Sequence, residues 1–249
     1  MTTLGYILTF SFLGSVVSLL GGMLLLSNEK FAKKIAHLLS AFAGGALLGT
    51  AFFDLLPEAL ELRAETNVFL WTIIGLLAFF LLERFIHHHS ETHGTKEKDA
   101  VIPLIVIGDS VHNFIDGVAM AATFLISIPL GIVTSLAVAA HEIPQEIGDF
   151  GLMLHKGVAR KKIILINFFS ALLAMLGAVL TYLVKDRIDN LLPIALGMTA
   201  GFFIYIAVSN LIPEIHQTED KKLAFWETVM LFIGVIVIYF TITALEGSH

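Results

Sequence analysis

Residues 105–126 read IVIGDSVHNFIDGVAMAATFLI, and after the break Ser127-Ile128-Pro129 residues 130–154 read LGIVTSLAVAAHEIPQEIGDFGLML. Each run is long and apolar enough to cross a hydrocarbon layer, which takes about 20 residues. Each also carries ionisable groups along its length, at a cost of roughly 2.5–3.5 kcal/mol per group at mid-membrane. Polar clusters inside spanning segments are tolerated where the groups face one another, water or a cation.

The rest of the chain has the same membrane character without the polar cluster. Of its 249 residues, 57% are hydrophobic and 14% charged, with a mean hydropathy of +0.86. Soluble domains carry about a quarter charged residues, and a small soluble globule has no means of hiding so much apolar surface. Six further apolar runs complete a set of eight expected spans: Leu4–Leu26, His37–Leu56, Val68–Ile86, Val101–Ile126, Leu130–Leu154, Ile163–Val184, Pro193–Ile212 and Leu223–Leu245. The expected fold is an all-α polytopic membrane protein, 1–249 forming one eight-helix domain, with residues 87–99 as its longest polar loop. The first run is too long for a signal-peptide core and lacks a basic segment before it. Gly247-Ser248-His249 carries no argument. A net charge of −6 speaks against nucleic acid as a partner. With no cysteine, disulfides, thiolate metal sites and cysteine nucleophiles are excluded.

Lysine and arginine set the expected orientation. With the N-terminus outside, the inner loops hold Lys30, Lys33, Lys34, Arg84, Lys96, Lys98, Lys156, Arg160, Lys161, Lys162, Lys221 and Lys222, against Arg63, Lys185 and Arg187 outside. Both termini are therefore expected outside and loop 87–99 in the cytosol. Spans two and seven end alike, on Asp54-Leu55-Leu56-Pro57-Glu58 and Asn210-Leu211-Ile212-Pro213-Glu214. In an eight-span chain these two run in opposite directions, as in an inverted repeat of helices 1–3 and 6–8 around helices 4–5. The alternative is that Pro and Glu simply end membrane helices.

Helical spacing brings the polar groups of spans four and five together. His112 and Asp116 stand four apart, on one face, with Asp109 a turn away and Asn113 beside it. On span five, His141 and Gln145 form one four-apart pair and Glu142 and Glu146 another, with Asp149 a turn on. Asn113 precedes Ser127 by fourteen residues and His141 follows it by fourteen, so both lie about 21 Å from the turn at 1.5 Å per residue. Imidazoles, carboxylates and amides meeting in low dielectric suit a divalent transition metal without sulfur ligands: Zn²⁺, Fe²⁺, Mn²⁺ or Co²⁺ rather than Cu⁺. Pro144 frees the carbonyl of Ala140 beside the cluster, and Gly117 and Gly148 add backbone freedom, which together point to a cavity. Against this stands a purely structural polar network, which Ser, Thr and Asn ordinarily supply.

At these residues the chain resembles the ZIP (ZRT- and IRT-like) family of divalent metal transporters. His112-Asn113-Phe114-Ile115-Asp116-Gly117 is similar to the family's fourth-helix motif, and His141 to Asp149 to the extended fifth-helix motif of one subgroup. The resemblance implies import of Zn²⁺ or a similar ion, Cd²⁺ included, into the cytosol across the plasma or inner membrane, with no organic cofactor. It implies one metal position on His112, Asp116, His141 and Gln145, and an adjacent one on Asn113, Asp116, Glu142 and Gln145. Ser170 stands where members with two metals carry a helix-six carboxylate, and Gln145 where the subgroup has His. The first departure points to a weaker or vacant second position; the second, a neutral amide and so a poorer ligand, points away from high-affinity zinc selectivity unless Glu146 or Asp149 compensates.

Pathway candidates flank this centre. Glu58, with Glu61 and Glu65, makes an acidic outer mouth or a solvated loop; Asp109, Glu214 and His216 are candidates for the inner exit. His87, His88, His89 and His93 make a loop cluster for transient metal capture. His37 and His155 read as interfacial residues. The expected mechanism is alternating access, spans four and five holding the ion while spans one to three and six to eight reorient. An intramembrane metalloenzyme is the first alternative, but His141-Glu142-Ile143-Pro144-Gln145 lacks the second His of the zincin pattern. A metal-selective channel is the second. Assembly as a homodimer is left open by the sequence.

Overall fold

The computed structural model describes residues 1–62, 66–92, 97–155, 157–185 and 191–246. All regular structure among them is helical. The first helix, α1, is Thr3–Ser27; α2 runs from Glu29–Thr50 through a π-helical turn, Ala51–Leu55, into Leu56–Leu62. Helices α3 (Val68–Thr92), α4 (Glu97–Ile126), α5 (Ile128–His155) and α6 (Arg160–Leu183) follow. Helix α7 is Leu192–Tyr205, again continued by a π turn, Ile206–Leu211, and by Ile212–His216; α8 is Lys221–Glu246. Five stretches are long and apolar enough to cross a membrane among the described residues: Ile35–Leu62, Val68–Phe85, Arg160–Leu183, Leu192–Leu211 and Lys221–Ala244. The chain is a multi-pass membrane protein whose apolar side chains face outward. Phe69, Ile73, Leu77, Leu81 and Phe85 recur every fourth residue along α3, and all are exposed.

The helices outrun the expected spans where the sequence turns polar. Helix α3 continues past Ile86 to Thr92, so the backbone of His87, His88 and His89 is helical, and α4 starts at Glu97. The side chains of these three histidines, and His93 altogether, lie outside the described residues, as do Glu65 and the side chains of His155 and Glu214.

Small residues decide which helices touch. Helix α4 packs most closely on α6, α5 on α1, α2 on α8 and α3 on α7. A Cβ on Gly117 of α4 would overlap the Ala174 carbonyl of α6, and one on Gly177 of α6 the Phe114 carbonyl of α4. The α2–α8 pair repeats the arrangement, Gly45 meeting the Leu231 carbonyl and Gly234 that of Phe42. Backbones approach this closely only where no side chain intervenes, the usual device of helix pairs in lipid. The larger buried core is built otherwise. Leu47, Ala51 and Leu55 of α2 meet Ala137 and Val138 of α5, Met120 of α4 and Phe203 of α7 through side chains.

Candidate metal centre

Between Ile126 and Ile128 the chain reverses at Ser127, whose hydroxyl accepts the Leu130 N–H at 3.2 Å and so starts α5. This tight reversal lays α5 antiparallel against α4 and puts the equidistant residues level. His112 Nε2 and His141 Nε2 come within 3.0 Å of each other. Around them stand two carboxylates. Asp116 Oδ2 is 3.5 Å from His112 Nε2 and 3.2 Å from His141 Nε2. Glu142 Oε1 is 3.4 Å from His112 Nε2 and 3.8 Å from His141 Nε2. All four side chains are buried, and the four atoms lie within 4.8 Å of one another.

These separations have a simple chemical meaning. A tetrahedral ion with ligands at 2.0–2.1 Å has ligand-to-ligand edges of about 3.3–3.4 Å. The five contacts above, from 3.0 to 3.8 Å, bracket that value. Asp116 Oδ2 and Glu142 Oε1 are buried without a properly oriented hydrogen-bond donor. Two acids facing two imidazoles in a dry interior are expensive until a cation joins them. His141 is already oriented for one. Its Nδ1 lies 3.1 Å from the Ala137 carbonyl, which only accepts, so Nδ1 carries the proton and Nε2 offers its lone pair. Phe79 of α3 stands edge-on to the His112 ring at 5.5 Å, and Phe203 of α7 lies 6.3 Å from that of His141. Nothing in the sequence marked these two rings among 20 phenylalanines.

The other expected ligands are divided. Asn113 and Gln145 turn their amide N–H groups to Asp109 instead. Asn113 Nδ2 donates to Asp109 Oδ1 at 3.0 Å, and Gln145 Nε2 lies 3.5 Å from the same oxygen. Ser170 Oγ donates to Asp109 Oδ2. Asp109 is thereby tied to α4, α5 and α6 one turn below the cluster. Glu146 is 1% exposed and neither of its carboxylate oxygens has a hydrogen-bond partner, while Asp149 is half-buried. Pro144 is buried within an unbroken α5, and Gly148 is exposed, a Cβ on it meeting nothing within 4 Å, so the space beside it is the outer surface of the helix. Glu58 is half-buried just beyond the π turn of α2, and His216 is exposed at the end of α7.

Apolar helices long enough to span a membrane, around a buried His and carboxylate group that could hold a metal ion, have the make-up of a membrane transporter of metal ions. Comparison with known proteins agrees. The model of the ZIP Zinc transporter family matches residues 4–103 and 99–241. Zinc transporter ZIP13 of Pongo abelii is 32% identical over 228 residues, covering 86% of this chain and 68% of the relative. Zinc transporter zipt-7.2 of Caenorhabditis elegans is 29% identical over 86% of this chain and 59% of its own length. Zinc transporter ZIP6 of Pongo abelii reaches 37%, over 56% of this chain and 20% of its own. The chain belongs to the ZIP family, and it is a metal-ion transporter rather than an enzyme.

Proposed function

We propose that this chain carries Zn²⁺, or a related ion such as Fe²⁺, Mn²⁺, Co²⁺ or Cd²⁺, into the cytosol across the plasma or inner membrane. His112, Asp116, His141 and Glu142 hold the ion. The single observation that carries the reading is the near-tetrahedral set of four buried ligand atoms from α4 and α5. Gln145 and Asn113, bound to Asp109, take the part of a supporting shell, and no second ion is needed to satisfy them. Glu146 and Asp149 continue the acidic face of α5, and with Asp109, Glu214 and His216 they mark the inward route from the centre.

The reading uses eight spans with both termini outside, related as an inverted repeat. Support for the repeat goes beyond the Pro-Glu ends. Gly45 and Gly201 each stand twelve residues before the proline, and each lies against a partner helix's backbone carbonyl, Leu231 in one case and Thr72 in the other. The π turns match as well. Leu56 N–H bonds Ala51 O in one and Ile212 N–H bonds Ala207 O in the other.

Alternating access is part of this reading, but it departs from the sequence expectation in what moves, with α1 and α6 joining the helices that hold the ion. Glycine contacts hold α4 to α6, and α1 packs on α5, so these four helices travel together with the ion. The pairs α2–α8 and α3–α7 form the frame, meeting the first group through side chains. The test is flux of Zn²⁺ or Cd²⁺ into liposomes holding the purified protein. His112→Ala and Glu142→Ala are each expected to abolish saturable uptake without changing the melting temperature by more than a few degrees. Undiminished uptake in both variants sinks the reading, and uptake that never saturates turns it to a channel.

A further inference from the structure

Glu83 is an acid in the apolar span Val68–Phe85 of α3, and an acid in such a span asks for a polar partner. It is half-buried, and it meets Tyr205 of α7. The Tyr205 hydroxyl bonds Glu83 and also Ser209, which lies in the π turn that follows Tyr205. A phenol O–H carries one proton, so it donates to the carboxylate and accepts from the serine hydroxyl. Arg84, next to Glu83, is exposed and lies over the Phe80 ring at 5.9 Å.

One turn before Glu83, on the same face of α3, stands the buried Phe79. Three rings surround it. Tyr205 lies at 5.6 Å, Phe202 of α7 at 5.7 Å, and the His112 imidazole edge-on at 5.5 Å. Tyr205 also meets Phe80 at 6.4 Å, so its ring sits against two successive residues of α3. The phenol is thus held by its hydroxyl at the tip and by rings along its body, and it leaves Phe79 little room to turn.

The two histidines of the cage are supported differently. His141 is oriented from its own helix, through Nδ1 and the Ala137 carbonyl. Phe203 of α7 reaches it at 6.3 Å, but that imidazole already has its hydrogen bond. The ring against His112 comes from α3, in the frame rather than among the helices that carry the ion. What stands behind a ligating imidazole fixes its orientation and so its hold on the metal.

We infer that Tyr205 and Glu83 are positioning residues for transport: their hydrogen bond seats Phe79 against His112, keeping the cage closed until α3 and α7 move away. Neither residue touches the ion. The inference rests on the proposed function, since it takes His112 as a ligand. The Lys and Arg pattern puts Glu83 on the cytosolic side of Phe79, so the latch acts on release of the ion.

Release of bound Cd²⁺ to a chelator, followed by stopped flow on the full-length protein in detergent, tests this. Tyr205→Phe deletes one oxygen and keeps the ring. It is expected to release Cd²⁺ about tenfold faster than wild type, the scale of a lost hydrogen bond to a charged group, with unchanged stoichiometry. Glu83→Ala is expected to match it. Glu83→Gln, whose amide oxygen still accepts the phenol proton, is expected to return most of the wild-type rate. The double variant Tyr205→Phe, Glu83→Ala is expected to be no faster than either single variant, and Phe79→Leu at least as fast. A wild-type release rate in Tyr205→Phe or Phe79→Leu overturns the inference, even where the melting temperature falls, because the contact is then structural only. Additive effects in the double variant overturn it too. Equal Cd²⁺ affinity in wild type and His112→Ala overturns the proposed function itself, whereas an unchanged rate in Tyr205→Phe leaves the cage standing. Where Glu83→Ala folds poorly, Tyr205→Phe decides alone.

Discussion

The α4–α6 and α2–α5 contacts are built from the same small and apolar residue types, yet they differ in what touches. Between α4 and α6, backbone meets backbone at Gly117 and Gly177. Between α2 and α5, side chains of Leu47, Ala51, Ala137 and Val138 meet across a core without such glycines at the contact. A backbone contact has one fit, since carbonyls and Cα atoms have no rotamers to adjust. A side-chain contact between smooth apolar residues repacks at small cost. The first kind suits helices that stay together, the second those that slide. The metal cage belongs to the first group, while Phe79 and Phe203, which cover its histidines, belong to the second. In the proposed transport cycle, movement of one group past the other would uncover the ion without dismantling its ligands.

Breaking the backbone contact is expected to have the largest effect. Gly117→Val forces α4 away from the Ala174 carbonyl, so no folded, monodisperse protein is expected in detergent by size-exclusion chromatography. Recovery of wild-type protein would mean the helices are not locked. Next comes immobilising the side-chain face. The native chain has no cysteine, so pairs placed among Leu47, Ala51, Ala137 and Val138 report cleanly. Crosslinking is expected to lower uptake at least tenfold, restored by reductant, with melting temperature unchanged or raised. Uptake that survives complete crosslinking would assign the motion elsewhere. Overpacking the same face with Ala137→Val is expected to cost about 1–3 kcal/mol, read from the melting curve, and to slow uptake more than it lowers binding of Cd²⁺. Gly148→Ala should do least. It fills open space and removes a helical glycine, so melting is expected to be unchanged or higher by up to about 1 kcal/mol.

The sequence carried much of this because hydrophobic runs and helical spacing are local. The apolar runs mark the helices to within a few residues at most ends, and the fourteen-residue symmetry about Ser127 puts Asn113 level with His141, with His112 one residue further on. It could not rank the ligands. Gln145 has the spacing of one, but its amide meets Asp109, a partner 36 residues away that only packing reveals. His37 reads as a lone interfacial histidine for the same reason, since Glu227, whose Oε1 lies 3.2 Å from its Nδ1, follows it by most of the chain. One signal was available there: an acid within an apolar helix asks for a partner. The polar continuation of α3 past Ile86 was hidden because the pattern changes from apolar to polar without a helix-stopping residue before Thr92.

Each π turn puts one extra residue into its helix, and an extra residue turns everything beyond it by about 100°. Leu56 to Leu62 and Ile212 to His216 thus face directions that an unbroken helix would have denied them. Shortening the first turn by one residue would restore ordinary winding and swing Glu58 to another side of its rod. Two short insertions in helical pitch thereby set how the last turns of α2 and α7 are rotated.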